Sequence, residues 1–171
     1  GITIGAGASI DVAGFVASTL NMSDGDFIAG RMRFSQGHTA AGAVVNQGSI
    51  NTAGGGMVYL VGRDVQNSGI IRSPGGEIML AAGKSVELVD SQNPEIRVQV
   101  NAPDNQAVNL GQLIAAGGRI GMYGTLVRQA GVANANTAVR GENGKIVFKA
   151  VKDVRLEAGS TTTANGPTAG S

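Results

Sequence analysis

The chain has 171 residues, 28 of them glycine, and a formal net charge of +1. It contains no cysteine, which excludes disulfide scaffolds, thiolate zinc sites and cysteine nucleophiles; the balanced charge, without a basic run, argues against nucleic-acid binding. Hydrophobic residues make up 42% of the chain, too many for a disordered protein, yet no stretch approaches the roughly 20 consecutive apolar residues of a membrane span.

Two sequence markers repeat along the chain. The first is Asn-x-Gly, which begins at Asn46, Asn67 and Asn109. The second is a glycine turn before a short alternating strand, at Gly55, Gly76, Gly118 and Gly144. The asparagines are 21 and 42 residues apart, and the glycines are 21, 42 and 26 apart. Such periods are typical of solenoids, and the richness in Gly, Val, Asn and Thr favours strands, so we predict an all-β chain with coils of about 21 residues.

Alternation after each glycine turn predicts which side chains lie inside the coils, because successive strand residues point to opposite faces. The inward pairs, in chain order, are Met57/Tyr59, Ile78/Leu80, Ile120/Met122 and Ile146/Phe148. The residues before these pairs are Gly56, Glu77, Arg119 and Lys145. This second row is expected to face solvent.

Two stretches depart from the period. Residues 86–107 lack both markers, which indicates an irregular or inserted coil, and the alternating residues 95–100 are either a coil strand or an external hairpin. Residues 127–153 carry extra residues. We expect one β-helix domain over residues 1–166, followed by a frayed tail at 167–171.

The repeated markers have structural interpretations. Glycine at each corner of a coil permits positive φ. The asparagines at 46, 67 and 109 are expected to stack in successive coils as hydrogen-bonded amides. A ligand site built from the same amides is the alternative interpretation.

Residues 14–30 (GFVASTLNMSDGDFIAG) resemble a stretch typical of filamentous haemagglutinin-type exoproteins. Residues 44–50 (VVNQGSI), with the glycine turn that follows, and residues 80–83 (LAAG) resemble the same proteins. The chain is therefore similar to the amino-terminal secretion (haemagglutination activity) domain of two-partner secretion exoproteins. That family includes adhesins, haemolysins and contact-dependent inhibition toxins.

The resemblance implies a right-handed parallel β-helix that directs export through an outer-membrane transporter by engaging its periplasmic modules. It also implies a secreted or cell-surface location, reached through the periplasm. One of the family's two Asn-Pro-Asn motifs normally ends in Gly-Ile, so Gly1 and Ile2 would be the remnant of a transporter-recognition motif. We expect the first part of the family domain to be missing from this chain.

Enzymatic alternatives have little support in the sequence. His38 is the only histidine, and the Asp24/Asp26 pair fails the calcium-loop pattern because Ser35 stands where the bidentate glutamate belongs. We predict no catalytic, metal or cofactor site. Besides an adhesin module or a toxin-delivery stalk, a binding solenoid from an autotransporter passenger and a β-helical carbohydrate-active enzyme remain open, and no host-cell or target-cell receptor is predicted.

Overall fold

The structure, a computed structural model, describes residues 1–22, 33–35, 42–88, 96–99, 105–137 and 144–167. Throughout these ranges the regular elements are strands, and none is a helix. Most strands are three to six residues long, which agrees with a sequence rich in glycine turns and β-branched residues.

The strands form three faces of a parallel stack. Face 1 contains β1 (Ile2–Ile4), β5 (Val44–Asn46), β8 (Val65–Asn67), β13 (Gln106–Asn109) and the second halves of β15 (Arg119–Gln129) and β17 (Lys145–Leu156). Face 2 contains β2 (Ser9–Val12), β6 (Ser49–Thr52), β9 (Ile70–Arg72), β14 (Gln112–Ile114), β16 (Val132–Asn134) and β18 (Thr161–Thr163). Face 3 contains β3 (Phe15–Ser18), β7 (Met57–Gly62), β10 (Glu77–Ala82) and the first halves of β15 and β17.

The chain visits face 1, face 2 and face 3 in turn, and each circuit is one coil. Coil 1 is β1–β3, coil 2 is β5–β7 and coil 3 is β8–β10. Coil 4 runs from β13 to the first half of β15, coil 5 from its second half to the first half of β17, and coil 6 ends at β18. Strands of successive coils pair in parallel on all three faces. The predicted parallel β-helix is confirmed.

The interior of the stack is a single apolar core. Ile78 and Leu80 of coil 3 and Ile120 and Met122 of coil 4 are fully buried in it, as the alternation predicts. Ile146 and Phe148 pack against the same core and are partly buried.

In coil 2 the predicted inward pair was wrong by one residue. Ile78 pairs with Val58 and Leu80 pairs with Leu60, so Val58 and Leu60 lie inside and Tyr59 points outward. The three consecutive glycines 54–56 can be aligned with the glycine pair 75–76 of coil 3 in two ways. The prediction aligns Gly55 with Gly76, whereas the strand pairing aligns Gly56 with Gly76.

The same shift corrects the set of equivalent glycines. Gly56, not Gly55, aligns with Gly76, because Met57 pairs with Glu77. Gly55 has a φ of +77° and corresponds to Gly75, whose φ is +63°. Gly76 does not have a positive φ, and neither do the glycines aligned with it, Gly118 and Gly144. Their requirement for glycine is steric: a Cβ atom at Gly76 would collide with the carbonyl oxygen of Gly56 in the preceding coil.

Within the stretch near 86–107, the described strands before β13 lie outside the stack, whereas Gln106 and Ala107 already belong to β13. Glu77 of coil 3 pairs directly with Arg119 of coil 4, so no coil lies between them. The chain instead forms a hairpin of β11 (Ser85–Leu88) and β12 (Ile96–Gln99), and β11 pairs antiparallel with β4 (Arg33–Ser35). These three strands are called the external sheet below. One of the extra residues near 127–153 forms a bulge in β17. Gly124 pairs with Ala150 and Leu126 pairs with Asp153, so β17 has one more residue than β15 between these two pairs.

Candidate functional site

A row of buried amides runs along the corner between faces 1 and 2. Asn46 Nδ2 donates to Asn67 Oδ1 at 2.8 Å, and Asn67 Nδ2 donates to Asn109 Oδ1 at 3.0 Å. Asn109 Nδ2 then donates to Gln129 Oε1 at 2.7 Å. All four side chains have 0% exposure. The row is called the amide ladder below.

Each amide of the ladder also bonds to the backbone. Asn46 Oδ1 accepts the N–H of Gly48 at 3.1 Å, and its Nδ2 donates to the Gly48 carbonyl at 3.2 Å. Gln129 Nε2 donates to the carbonyls of Gly131 and Thr161 at 3.1 and 3.0 Å. Because these buried polar groups are used within the stack, the ladder holds coils in register and leaves little bonding capacity for a ligand.

Gln129 is the ladder member that the sequence pattern missed. It lies in Gln129-Ala130-Gly131, which keeps the spacing to glycine but replaces asparagine by its longer homologue. The signal available in the sequence was the separation of 20 residues between Asn109 and Gln129, which is close to the length of one coil.

The external sheet covers the outer side of face 3. Tyr59, Met79 and Tyr123 point outward from three successive coils, yet their exposures are only 4%, 2% and 5%. Phe34 of β4 and Val86 of β11 pack with them in a second apolar cluster outside the stack. The outer side of face 3 is therefore a second core.

A polar cluster lies at the rim of this second core. The Tyr59 hydroxyl donates a hydrogen bond to the Glu77 carboxylate, and Arg119 lies close to both Glu77 and Tyr123. Burial raises the pKa of Glu77, while Arg119 and the Tyr59 hydrogen bond act in the opposite direction. Burial also raises the pKa of Tyr59 and of Tyr123. The expectation that Glu77 and Arg119 simply face solvent is thus incomplete, since both are half-buried.

Gly121 makes room for one member of this cluster. A Cβ atom at Gly121 would lie 2.6 Å from Cε2 and 2.8 Å from the hydroxyl oxygen of Tyr123. The Tyr123 ring therefore lies over Gly121 of the same strand, on the outer side of face 3, where Arg119 also lies.

A groove of about 430 Å³ runs beside the rim cluster, lined by the glycine turns of coils 2 and 3 together with Tyr59 and Glu77. Among the described residues that line the groove, Glu77 carries the one carboxylate.

Gly1 and Ile2 lie at the outer edge of coil 1. The Ile2 N–H donates to the Ala43 carbonyl at 2.9 Å, and the Ile2 side chain packs partly against the stack core. Of the other candidates, Asp24, Asp26 and His38 lie outside the described residues. In the described part of the chain no group of three or more acidic or histidine side chains could hold a metal ion, and no helix there could cross a membrane.

Comparison with known proteins identifies a family and a similar solved structure. The model of the TPS secretion domain matches residues 1–163. The solved HMW1 secretion domain from Haemophilus influenzae is similar, with 36% sequence identity and a TM-score of 0.88. The similarity covers 96% of this chain and 44% of the HMW1 chain, so this chain spans less than half of that relative. No curated protein matches.

The family match covers almost the whole chain, and the β-helix with its glycine turns agrees with it. The chain belongs to the TPS secretion domain family, the export modules of two-partner secretion exoproteins.

Proposed function

We propose that this chain is the secretion-directing and structural module of a large bacterial surface exoprotein, an adhesin or haemagglutinin or the stalk of a contact-dependent toxin. The observation that carries the proposal is the TPS secretion domain match over residues 1–163. The family implies an outer-membrane transporter as partner and a route through the periplasm. The exported protein then resides at the cell surface or in the medium.

The stack supplies a physical reason why folding favours export. A coil buries its apolar row only when it stacks on a neighbour. Coil 6 leaves Val154 and Leu156 exposed by 39% and 58%, whereas Val127, which pairs with Val154 one coil earlier, is 1% exposed. Each added coil therefore gains apolar burial and a row of backbone hydrogen bonds, and this gain opposes return of the chain through the transporter.

We also propose that the edge formed by Gly1 and Ile2 contributes to transporter recognition. Ile2 and Ile10 offer a matched comparison, because both are half-buried isoleucines of coil 1 that pack against the same core. Ile2→Ala should reduce secretion more than Ile10→Ala while the two changes lower stability similarly. Equal secretion of the two variants would exclude a recognition role for Ile2.

The proposed function is tested by a secretion assay on the amino-terminal region of the exoprotein that contains residues 1–171. The region is expressed in a Gram-negative host with its cognate outer-membrane transporter, without it, and with a transporter that lacks its periplasmic modules. We expect release into the medium only with the intact transporter. Release that is equal in all three strains would contradict the proposal and favour a self-contained passenger.

A further inference from the structure

Two insertions leave the stack at the same corner, where face 3 returns to face 1. Residues 19–43 separate β3 from β5, and residues 83–105 separate β10 from β13. The first insertion follows coil 1 and the second follows coil 3. Coil 2, which lies between these coils, continues from β7 to β8 with only Arg63 and Asp64 between the strands.

The two insertions pair with each other in the external sheet. Ser35, Phe34 and Arg33 of β4 face Ser85, Val86 and Glu87 of β11 in antiparallel register. Arg33 Nε lies 3.4 Å from Glu87 Oε1 across this pair. Elsewhere in the stack, strands pair with those of the adjacent coil. The β4–β11 pair is different because it joins the insertion between coils 1 and 2 to the insertion that follows coil 3, and it therefore spans coil 2.

The apolar side of this link is well buried. Leu20, which follows coil 1, is 5% exposed, and Phe34 is also 5% exposed. Val86, which follows coil 3, is 1% exposed. These three side chains share one cluster with Val61 of coil 2 and Ala81 of coil 3, both fully buried. The backbone of the first insertion is fixed at its start as well, since the Thr19 N–H donates to the Val61 carbonyl at 3.0 Å.

In a solenoid with contacts only between neighbouring coils, terminal coils open first and independently. We infer that the external sheet staples coils 1, 2 and 3 into one cooperative folding unit, so that coil 1 opens only together with coil 3. It follows that the unit is complete only when the chain as far as β11 is present.

Native-state hydrogen exchange of the 171-residue chain tests the inference. The slowest amides of β1–β3 should exchange at the same rate as those of β10, within about threefold. Those of β18, at the unstapled end, should exchange at least 10-fold faster. Exchange of β1–β3 as fast as that of β18 would overturn the inference, because coil 1 would then fray on its own.

A pair of matched valine variants locates the coupling. Val86 lies in the external sheet and Val127 in the core of coil 5, and each is 1% exposed. Val86→Ala should accelerate exchange in β1–β3 and in β10 by the same factor, about 10-fold to 100-fold. Val127→Ala should accelerate exchange in β15 and β17 and leave β1–β3 within threefold of the wild-type rate. Acceleration by Val86→Ala that is confined to coil 3 and its neighbours would contradict the inference.

A reversible cross-link keeps the test valid if Val86→Ala does not fold. The Ser35 N–H donates to the Asn21 carbonyl and the Ser35 carbonyl accepts from the Asn21 N–H, both at 2.8 Å. Ser35 therefore faces Ser85 as a non-hydrogen-bonded pair, in which side chains approach closely. Since the chain has no cysteine, Ser35→Cys combined with Ser85→Cys can form a single disulfide. Oxidation should slow exchange in β1–β3 and β10 together and leave β18 unchanged; slowing in only one of the two coils would overturn the inference.

Discussion

The amide ladder gives the most specific prediction about stability, and Asn67 is its most informative position. Asn67 is fully buried, accepts from Asn46 at 2.8 Å and donates to Asn109 at 3.0 Å. Its Nδ2 also lies 3.2 Å from the carbonyl oxygens of Gly69 and Gln112. The perturbation is Asn67→Ala, which removes the amide and leaves its neighbours in place.

The expected cost follows from the groups that lose a partner. Asn46 Nδ2 loses its amide acceptor and retains the Gly48 carbonyl at 3.2 Å, and Asn109 Oδ1 loses the Asn67 donor. A buried polar group left without its partner costs about 1–3 kcal/mol. With two such groups and a small cavity, we expect Asn67→Ala to lower the free energy of unfolding by about 3–5 kcal/mol.

The assay is urea denaturation followed by far-UV circular dichroism, with Gln66→Ala as the control. Gln66 is adjacent in β8 but points outward, where it pairs with Val45 and Val108 and is half-buried. Its removal should change the free energy of unfolding by less than about 1 kcal/mol. A double-mutant cycle of Asn67→Ala with Asn109→Ala should give a coupling of about 1 kcal/mol or more, because the two share one hydrogen bond.

A loss below about 1 kcal/mol for Asn67→Ala, equal to that of the control, would refute the reasoning. It would mean that the ladder adds no net stability and that the amides are free to serve another purpose, such as ligand binding. A large loss together with zero coupling would place the cost in the cavity and not in the ladder.

Three further predictions concern the turns, the core and the rim cluster. Gly76→Ala should destabilise the chain by more than about 2 kcal/mol, because its Cβ would meet the Gly56 carbonyl, whereas Gly54→Ala has open space and should be neutral in urea denaturation. Ile120→Asp places an unpaired charge in the stack core, where Ile120 has 0% exposure, and should abolish the strand signal in circular dichroism. Burial raises the pKa of Glu77 in the folded state, so its contribution to stability is present below the ordinary carboxyl pKa and is lost as the pH rises from there through the raised pKa. Glu77→Gln should therefore raise the urea midpoint relative to wild type at pH 7 and show a smaller gain at pH 4.

Each of these predictions has a contrary outcome. Equal loss from Gly76→Ala and Gly54→Ala would mean that the coils can separate enough to admit a methyl group at Gly76. A folded Ile120→Asp chain would mean that Ile120 reaches solvent. A gain for Glu77→Gln that is the same at pH 4 and pH 7 would mean that the charge of Glu77 has no part in it.

The periodic part of the fold could be predicted from the sequence because each coil repeats the same requirements. Asn46, Asn67 and Asn109 recur with a glycine two residues later, and the structure places these amides in one hydrogen-bonded row. The inward position of Ile78 and Ile120 follows from alternation and is confirmed. The β-helix itself is confirmed by the strand register and by the similarity to a solved secretion domain.

Departures from the period could not be predicted in the same way. The run of three glycines at 54–56 fits two registers, and only pairing with the next coil distinguishes Val58 from Tyr59 as the inward residue. The gap between Asn67 and Asn109 is two periods long, so it has the length of a missing coil, although the chain uses it for a hairpin. Likewise, alternation marks Met79 and Tyr123 as outward residues but does not reveal that a strand 40 or more residues away in sequence covers them.

The central claim is that this domain is recognised by an outer-membrane transporter, and direct binding tests it best. The measurement is isothermal titration calorimetry of the purified periplasmic modules of the cognate transporter with the amino-terminal region that contains residues 1–171. We expect saturable binding with a defined stoichiometry, and no binding to the periplasmic modules of an unrelated transporter. Absence of heat and of any saturable signal with the cognate modules, for a region shown by circular dichroism to have its β-structure, would contradict the claim.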